Sequence, residues 1–155
     1  MNELFRNTYA EIRLDNLIHN YHEIKKASGE NRFICPMVKA NAYGHGDICV
    51  AQALQEAGAQ HLGVGLIEEG LLLRSSGVTT RLLVFGIFDT QGAIEILRHK
   101  MIPVISTWGQ LESLKSALPK IATPEKASTP PIEIHLKFDT GMHRLGFKIE
   151  EAEKL

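Results

Sequence analysis

Apolar and polar positions along the 155-residue chain form five short runs rich in β-branched residues, with helical periodicity between them. The runs predict strands at 32–39 (RFICPMVK), 61–67 (HLGVGLI), 81–88 (RLLVFGIF), 101–107 (MIPVIST) and 132–139 (IEIHLKFD). A helical pattern precedes the first run, and strand and helix then alternate four times before the fifth strand. This order is typical of a parallel sheet with crossover helices.

Polar residues mark where the predicted helices begin. Asp15, Asp47 and Asp89 stand at positions expected for helix N-caps, whose side chains accept a hydrogen bond from the first turn. Thr107 and Gln110 have the spacing of a capping box. The stretch 121–131 (IATPEKASTPP) predicts a loop.

The alternation is compatible with two α/β folds, a (β/α)8 barrel of the TIM type and a doubly wound sheet, and it does not choose between them. The dinucleotide-binding form of the doubly wound sheet requires G-x-G-x-x-G after its first strand. Gly44 and Gly46 supply the first two positions, but Cys49 occupies the third. This departure disfavours the doubly wound interpretation.

Polar residues share one face of the last predicted strand. Side chains alternate across a strand, so Glu133, His135, Lys137 and Asp139 lie opposite an apolar face. Parallel strands are normally apolar on both faces. Two explanations stay open, namely an edge strand with a solvated polar face, and a barrel strand leading to a polar site at its C-terminal end.

Two lysines stand near the C-terminal ends of the first and last predicted strands, Lys39 and Lys137. If their ammonium groups met at one rim, repulsion and desolvation would drive at least one of them neutral. A neutral lysine is nucleophilic toward a carbonyl, which is the condition for a Schiff base. Tyr43 offers a hydroxyl to an anionic oxygen, and Arg144 offers a planar fork to a carboxylate. The alternative is that these are surface and packing residues.

Composition narrows the class of protein. The net charge is −1 and apolar residues make up 44% of the chain, which is ordinary for a soluble globular protein. We therefore expect neither nucleic acid nor a membrane as a partner. Cys35 and Cys49 lack the spacing of a metal or redox motif and are interpreted as buried thiols in a reducing compartment. The absence of a recognisable secretory signal favours the cytoplasm, and no metal site is expected.

Four segments resemble the alanine racemase family, whose enzymes use pyridoxal 5'-phosphate (PLP). They are TYAEIRLDNLIHNY, VKANAYGHG, GVGLIEEGLLLR and LKFDTGMHRLGF. The resemblance implies that Lys39 binds PLP as a Schiff base and is one of the two acid/base groups acting on the substrate Cα. It also implies that Tyr43 binds the cofactor phosphate.

Further positions follow from the same resemblance. It implies that Arg144 lies beside the phenolic oxygen of the cofactor and near the substrate carboxylate, and that Met142 lines the substrate pocket. Lys137 occupies the place of a lysine that is often carbamylated and orients that arginine. His143 departs from the glycine expected in this motif. A changed loop surface is the simplest interpretation of that departure.

The resemblance also implies a domain organisation. Residues 1–155 match the N-terminal portion, about five strands, of a PLP-binding (β/α)8 barrel, without the rest of the barrel and the C-terminal β domain. The expected function of the parent protein is racemisation of L- and D-alanine, supplying D-alanine for cell-wall peptidoglycan, in a homodimer. A fragment of this extent is expected to be inactive. The alternatives are a broader amino-acid racemase or decarboxylase on the same barrel, or a non-catalytic piece that binds PLP weakly.

Overall fold

The computed structural model describes residues 8–29, 31–121 and 131–155. The loop predicted over 121–131 lies mostly outside these ranges. The chain divides into two compact units, Met1–Phe33 and Ile34–Leu155. No helix within the described ranges has the length and apolarity needed to cross a membrane.

Where the structure describes the first unit, it contains helix α1 (Leu14–Ser28). The prediction that Asp15 caps it is wrong, because Arg13 is the N-cap and Asp15 is already inside the first turn. The Arg13 guanidinium and the Asp15 carboxylate form an ion pair at 3.1 Å. A carboxylate in the first helical turn still stabilises the helix through its dipole. Asp15 therefore favours the start of α1 from inside the first turn rather than as its cap.

The second unit alternates strands and helices, as the sequence predicts. Its elements are α2 (Lys39–Gly44), α3 (Asp47–Glu56), β1 (His61–Val64), α4 (Ile67–Ser75), β2 (Arg81–Val84), α5 (Thr90–Arg98), β3 (Ile102–Ile105), α6 (Trp108–Ile121), β4 (His135–Leu136) and a 3-10 helix (Ile149–Lys154). The four strands form one parallel sheet in the order β1-β2-β3-β4. Sequential order in a parallel sheet requires a crossover between each pair of neighbours.

The core of this unit lies between the sheet and its helices. The sheet buries apolar side chains from three successive strands, namely Leu62, Val64, Leu82, Leu83, Val84, Val104 and Ile105. The helices bury Leu73, Ala93, Ile96, Leu114 and Ala117. Strands that are buried on both faces are apolar throughout, which explains why these runs were easy to recognise in the sequence.

Two predicted strands are much shorter in the structure. In 32–39, only Met37 pairs, through an isolated parallel bridge to Gly63 of β1. Pro36 lacks an N–H and β1 itself has four residues, so little ladder can form there. In 132–139, only His135–Leu136 is a strand, and Phe138 makes a separate bridge to Phe147. Within the described residues, the sheet thus has four strands and a flanking bridge, where about five strands were expected.

The other helix starts show one error, one success and one half-formed capping box. Asp47 is not a cap, since Gly46 precedes the helix and Asp47 is its first residue. Asp89 is confirmed as the N-cap of α5 and accepts the Gly92 N–H at 2.9 Å. Before α6, the Thr107 hydroxyl accepts the Gln110 N–H at 3.2 Å, which is one half of the predicted capping box; the Gln110 oxygen accepts from the Ser106 N–H instead of the Thr107 N–H.

The two thiols do not fit the interpretation that both are buried. Cys49 is exposed and Cys35 is only half-buried. Burial nevertheless raises the pKa of the Cys35 thiol to about 11. Cys35 packs against the sheet core near Leu83 and Val104, which is ordinary behaviour for a small apolar side chain.

Candidate active site

The candidate residues lie at the C-terminal edge of the parallel sheet. Lys39 follows the Met37 bridge by two residues, and Lys137 comes directly after β4. The glycines Gly65 and Gly86 stand at the corresponding places after β1 and β2. Parallel α/β enzymes commonly place their chemistry at this edge.

The segment after Lys39 has an unusual backbone. Ala40, Asn41, Ala42 and Tyr43 have φ of 51°, 55°, 50° and 54°, so α2 is one turn with left-handed dihedrals. This conformation costs roughly 1–2 kcal/mol for each residue other than glycine. The surroundings must compensate, and such strain is typical of functional sites.

Hydrogen bonds stabilise the turn from both ends. The Ala42 N–H donates to the Val38 carbonyl at 3.0 Å, and the Gly46 N–H donates to the Asn41 carbonyl at 3.0 Å. The Asn41 side chain accepts the Asp47 N–H at 3.0 Å, which connects the turn to the start of α3. Asparagine is among the residues that tolerate left-handed dihedrals best.

Glu69 of α4 reaches this turn, although the sequence interpretation did not single it out. One carboxylate oxygen accepts the Ala40 N–H at 2.6 Å. The other accepts the N–H groups of Gly65 and Leu66 at 2.7 and 3.0 Å. A glutamate three residues into a helix is a capping signal when serine, threonine, aspartate or asparagine precedes it. Leu66 holds that place here, so the usual pattern was absent.

Gly65 and Gly86 let the ends of β1 and β2 come close together. A Cβ built on Gly86 would overlap the Gly65 carbonyl oxygen. A Cβ on Gly65 would lie 3.5 Å from Cδ of Lys39 and 3.4 Å from a carboxylate oxygen of Glu69. The lysine stem therefore packs directly beside the Gly65 backbone.

The Gln110 side chain connects the segments that follow β2 and β3 through hydrogen bonds. This side chain is 1% exposed. Its amide group donates to the Gly86 carbonyl at 3.1 Å, and its oxygen accepts from the Ser106 N–H at 3.0 Å and the Ser106 hydroxyl at 2.8 Å. A buried amide with its main partners supplied rigidifies its surroundings. The sequence interpretation noted Gln110 only as a capping residue.

The structure places Lys39 and Tyr43 near each other. The Lys39 ammonium lies 5.8 Å from the centre of the Tyr43 ring. Lys39 is half-buried, whereas Tyr43 is 61% exposed and so presents its hydroxyl to solvent at the edge. The two side chains are thus neighbours, and their roles in the resemblance stay predictions.

Lys39 and Lys137 belong to opposite ends of the observed strand order. The Met37 segment lies beside β1 and Lys137 follows β4, so β1, β2 and β3 stand between them along the sheet. The expected repulsion between their ammonium groups stays a prediction.

Part of the polar face of the last predicted strand is explained by an ion pair. The Glu133 carboxylate binds the Arg81 guanidinium at the start of β2. Glu133 is also 3.6 Å from the His135 ring. Glu133 and His135 therefore interact with each other away from the C-terminal edge of the sheet. Of the four polar residues on this face, only Lys137 and Asp139 lie near that edge.

The segment from Asp139 to Gly146 forms a closed loop. The Phe147 N–H donates to the Lys137 carbonyl and the Asp139 N–H donates to the Phe147 carbonyl, both at 2.9 Å. Gly146 has a φ of +138°, and a Cβ there would lie 2.6 Å from the Phe138 carbonyl carbon. A side chain at Gly146 is thus incompatible with the closure.

Asp139 organises the loop interior. One of its carboxylate oxygens accepts the N–H groups of Gly141 and His143 at 3.0 Å, and the other lies 2.9 Å from the His143 ring. The Gly141 and His143 amides, in that order, lower the pKa of Asp139 to about 2. His143 has a φ of +55°, which explains why glycine is expected there. Its contact with Asp139 compensates for the substitution.

Met142 and Arg144 lie on the outside of this loop. Met142 is 71% exposed, and its sulfur contacts the guanidinium of Arg144, which is exposed too. Lys137 is half-buried, and its N–H donates to the Ile105 carbonyl at 2.9 Å. The loop therefore presents a cation to solvent beside the end of β4.

A cavity of 660 Å³ opens at the same edge of the sheet, between the ends of β1 and β2 and the starts of α4 and α5. Its lining includes Gly65, Leu66, Gly86, Phe88 and Asp89, but none of Lys39, Tyr43, Met142 or Arg144. The cavity thus lies next to the candidate residues without containing them. Among the described residues, no group of three or more His, Cys, Asp or Glu side chains is arranged to hold a metal ion.

A parallel sheet with polar groups at its C-terminal edge is the arrangement typical of α/β proteins of the barrel type. Residues 12–155 match the family model described as "Alanine racemase, N-terminal domain". The chain belongs to the alanine racemase family, whose enzymes depend on PLP. It is 36% identical to the alanine racemase of Geobacillus stearothermophilus over 154 residues, covering 99% of this chain and 38% of that protein.

Other relatives agree. Alanine racemase 2 of Caldanaerobacter subterraneus is 39% identical over 158 residues, with 97% of this chain and 39% of that protein covered. Among solved structures, alanine racemase of Clostridium difficile 630 has a TM-score of 0.81 at 29% identity, covering 94% of this chain and 37% of that one. The chain therefore spans less than two fifths of the length of these relatives.

One solved relative holds a ligand. The alanine racemase of Bacillus anthracis with bound L-Ala-P has a TM-score of 0.82 at 28% identity, covering 98% of this chain and 37% of that one. These matches confirm the predicted fold class, part of a TIM-type barrel, here with four parallel strands and their helices.

Proposed function

We propose that this chain supplies the lysine-bearing part of an active site that interconverts L- and D-alanine with PLP, as the N-terminal portion of a (β/α)8 barrel. The observation that supports it most is the position of Lys39, half-buried at the C-terminal edge of the sheet and followed by a left-handed turn. We further propose that the whole protein is a homodimer with a β-rich second domain, and that it supplies D-alanine for peptidoglycan in the cytoplasm.

The residues present fit the cofactor. PLP offers an aldehyde, a phosphate and a phenolic oxygen, and the chain offers an amine on Lys39, a hydroxyl on Tyr43 and a guanidinium on Arg144. The stem of Lys39 packs beside the Gly65 backbone, where a Cβ would lie 3.5 Å from the lysine Cδ.

Each residue then has a role. Lys39 would hold the cofactor through Nζ and move a proton at one face of the substrate Cα. Tyr43 would donate a hydrogen bond to the phosphate. Arg144 would bind the phenolic oxygen and the substrate carboxylate, with Met142 forming part of the pocket wall. When bound, PLP stabilises negative charge at Cα by withdrawing electrons from it.

Lys137 is proposed as the site of carbamylation in the whole protein. A carbamate replaces a positive charge with a negative one and can accept a bidentate hydrogen bond from an arginine. Arg144 is the arginine on the adjoining loop, and Phe147 bonds that loop back to the Lys137 carbonyl. In this chain alone, where the edge of the sheet is open to water, we expect an unmodified lysine.

Chemical trapping followed by peptide mapping tests the assignment. The chain is incubated with PLP, reduced with borohydride and digested, and the modified peptide is identified by mass spectrometry. We expect the label on Lys39, with Lys137 carrying neither cofactor nor carbamate. Lys137→Ala is the matched control and should leave labelling in place, whereas Lys39→Ala should abolish it. Cofactor attached mainly to Lys137, or spread evenly over surface lysines, would contradict the proposal.

Proton exchange at Cα separates binding from catalysis. D-Alanine in deuterated water is mixed with this chain or with the complete protein, and deuterium incorporation is followed together with optical rotation. We expect racemisation from the complete protein only, because the opposing base is proposed to lie among residues other than these 155. Complete protein that exchanges other amino acids faster than alanine, or that releases carbon dioxide, would favour the broader racemase or the decarboxylase.

A further inference from the structure

Glu69 joins two parts of the chain that are distant in sequence. Two of the three N–H groups that it accepts belong to the connection between β1 and α4, at Gly65 and Leu66. The third belongs to Ala40, 29 residues earlier. One carboxylate therefore fixes the end of β1 and the residue after Lys39 in a single geometry.

The contact falls at the first residue of the left-handed turn. The bonds of Ala42 and Gly46 stabilise later parts of the turn, whereas the Ala40 N–H is the donor closest to Lys39. Ala40 is also the first residue with a left-handed φ. Its N–H lies in the peptide plane that joins it to Lys39, so the bond to Glu69 restrains the backbone from which the lysine side chain departs.

Glu69 is also close to the lysine stem itself. Its carboxylate oxygen and the Lys39 Cβ and Cδ atoms all lie between 3.4 and 3.6 Å from the Cβ position of Gly65. Burial raises the pKa of the Glu69 carboxyl, but the amides of Leu66, Ala40 and Gly65 together with the charge of Lys39 bring it below its ordinary value. The Glu69 carboxylate is thus an anion at neutral pH, and it lies beside the side-chain stem of Lys39.

We propose that Glu69 is a positioning residue for Lys39, which acts by accepting the Ala40 N–H and so setting the direction in which Nζ leaves the sheet edge. It touches neither substrate nor cofactor. The inference rests on the proposed function in one respect only, namely that Lys39 binds the cofactor. The geometry of the turn is tested separately from cofactor attachment.

Two variants separate the roles of the carboxylate. Glu69→Gln has a single acceptor oxygen, which cannot serve Ala40 and the Gly65–Leu66 amides together. Glu69→Asp keeps the charge and can still bond the nearby Leu66 amide, but is one carbon too short to reach Ala40. The matched control is Glu68→Gln, since Glu68 is the exposed neighbouring acid in the same helical turn.

The first measurement is amide hydrogen exchange, read at Ala40 and at core amides such as Val84. We expect Ala40 to exchange about tenfold faster or more in both Glu69 variants, because a hydrogen bond to a charged acceptor is lost. Core amides should stay protected, and Glu68→Gln should match the unchanged chain. If Glu69→Gln does not fold, Glu69→Asp decides. Unchanged Ala40 exchange in a folded variant overturns the proposal.

The second measurement is the labelling of Lys39 relative to Lys137 by an amine-acylating reagent, with and without PLP. We expect this ratio to change in both Glu69 variants and to stay constant in Glu68→Gln. A role confined to overall stability would alter both lysines together and leave the ratio unchanged, which would overturn the proposal. If PLP attaches to another lysine while the Ala40 and ratio effects persist, the proposed function fails and the positioning role stands.

Discussion

Two irregular segments at the edge of the sheet, Lys39–Gly46 and Asp139–Phe147, both contain residues with left-handed dihedrals, and their backbones are stabilised in different ways. In each, a carboxylate accepts backbone N–H groups from residues with left-handed dihedrals. Glu69 reaches across from another helix, 29 residues away along the chain. Asp139 bonds residues two and four positions ahead of itself.

The turn after Lys39 is therefore stabilised by a tertiary contact, whereas the loop after Asp139 is stabilised by local contacts. The turn after Lys39 takes part of its stabilisation from α4 through Glu69, so it reports on the packing of the folded sheet. The loop after Asp139 contains its own acceptor and closes on itself through Phe147. We therefore expect the two segments to respond differently to changes in sequence and pH, and the following predictions test that expectation.

The largest effect is expected from Gly146→Ala. The new Cβ would overlap the backbone of Phe138 and Asp139 at a φ of +138°, so the loop must open or shift. We expect a loss of about 2–4 kcal/mol in the free energy of unfolding, measured with urea.

Gly141→Ala is the matched control for that change. Gly141 has a similar φ of +133°, but a Cβ there meets nothing within 4 Å. Its cost should be limited to the backbone term of roughly 1–2 kcal/mol. Equal losses for the two variants would show that loop closure contributes nothing beyond the dihedral.

A smaller effect of opposite sign is expected in the other segment. Ala40→Gly removes a side chain from a residue with a φ of 51° and keeps the N–H that Glu69 accepts. We expect a gain of up to about 1 kcal/mol in urea unfolding, because glycine adopts this conformation without steric cost. Ala53→Gly, inside the right-handed helix α3, should instead lose roughly 1 kcal/mol. A loss at both positions would contradict the left-handed turn.

The smallest effect concerns pH. The folded-state pKa of Asp139 is lowered to about 2, so its stabilising contribution is complete above an unfolded pKa of about 3.9 and is lost as the pH falls toward 2. We expect the Gly141 and His143 amide resonances to titrate together near the lower value. Asp139→Asn should remove that titration. Resonances that move instead near pH 4 would show that the carboxylate is not held by these amides.

The sequence predicted those features that depend on local pattern. The alternation of apolar runs and helical periodicity was enough for a parallel α/β sheet, and the two motifs placed Lys39 and Lys137 at its C-terminal edge. Asp89 was recognised as a cap because its acceptor and donor are three residues apart. In each case the interaction spans only a few residues or repeats regularly.

The sequence interpretation missed what depends on contacts between distant segments. The Ala40–Glu69 bond has no local signal, and Ala-Asn-Ala-Tyr does not have the glycine content expected of a left-handed turn. Common placement of Lys39 and Lys137 at one edge does not fix the number of strands between them, so their crowding stays a prediction. The long strand predicted at 32–39 is reduced to the Met37 bridge, because Pro36 has no N–H to donate to β1 and β1 itself has four residues.

The docking of the 3-10 helix at Ile149–Lys154 can be followed by tryptophan fluorescence. Trp108, the single tryptophan of the chain, donates its indole N–H to Glu151 at 2.8 Å and stands edge-on to Phe147 at 5.3 Å between ring centres. Its fluorescence therefore originates where the loop closed by Phe147 meets the start of α6. Emission from this one chromophore reports on the docking of the last residues separately from the turn beside Lys39.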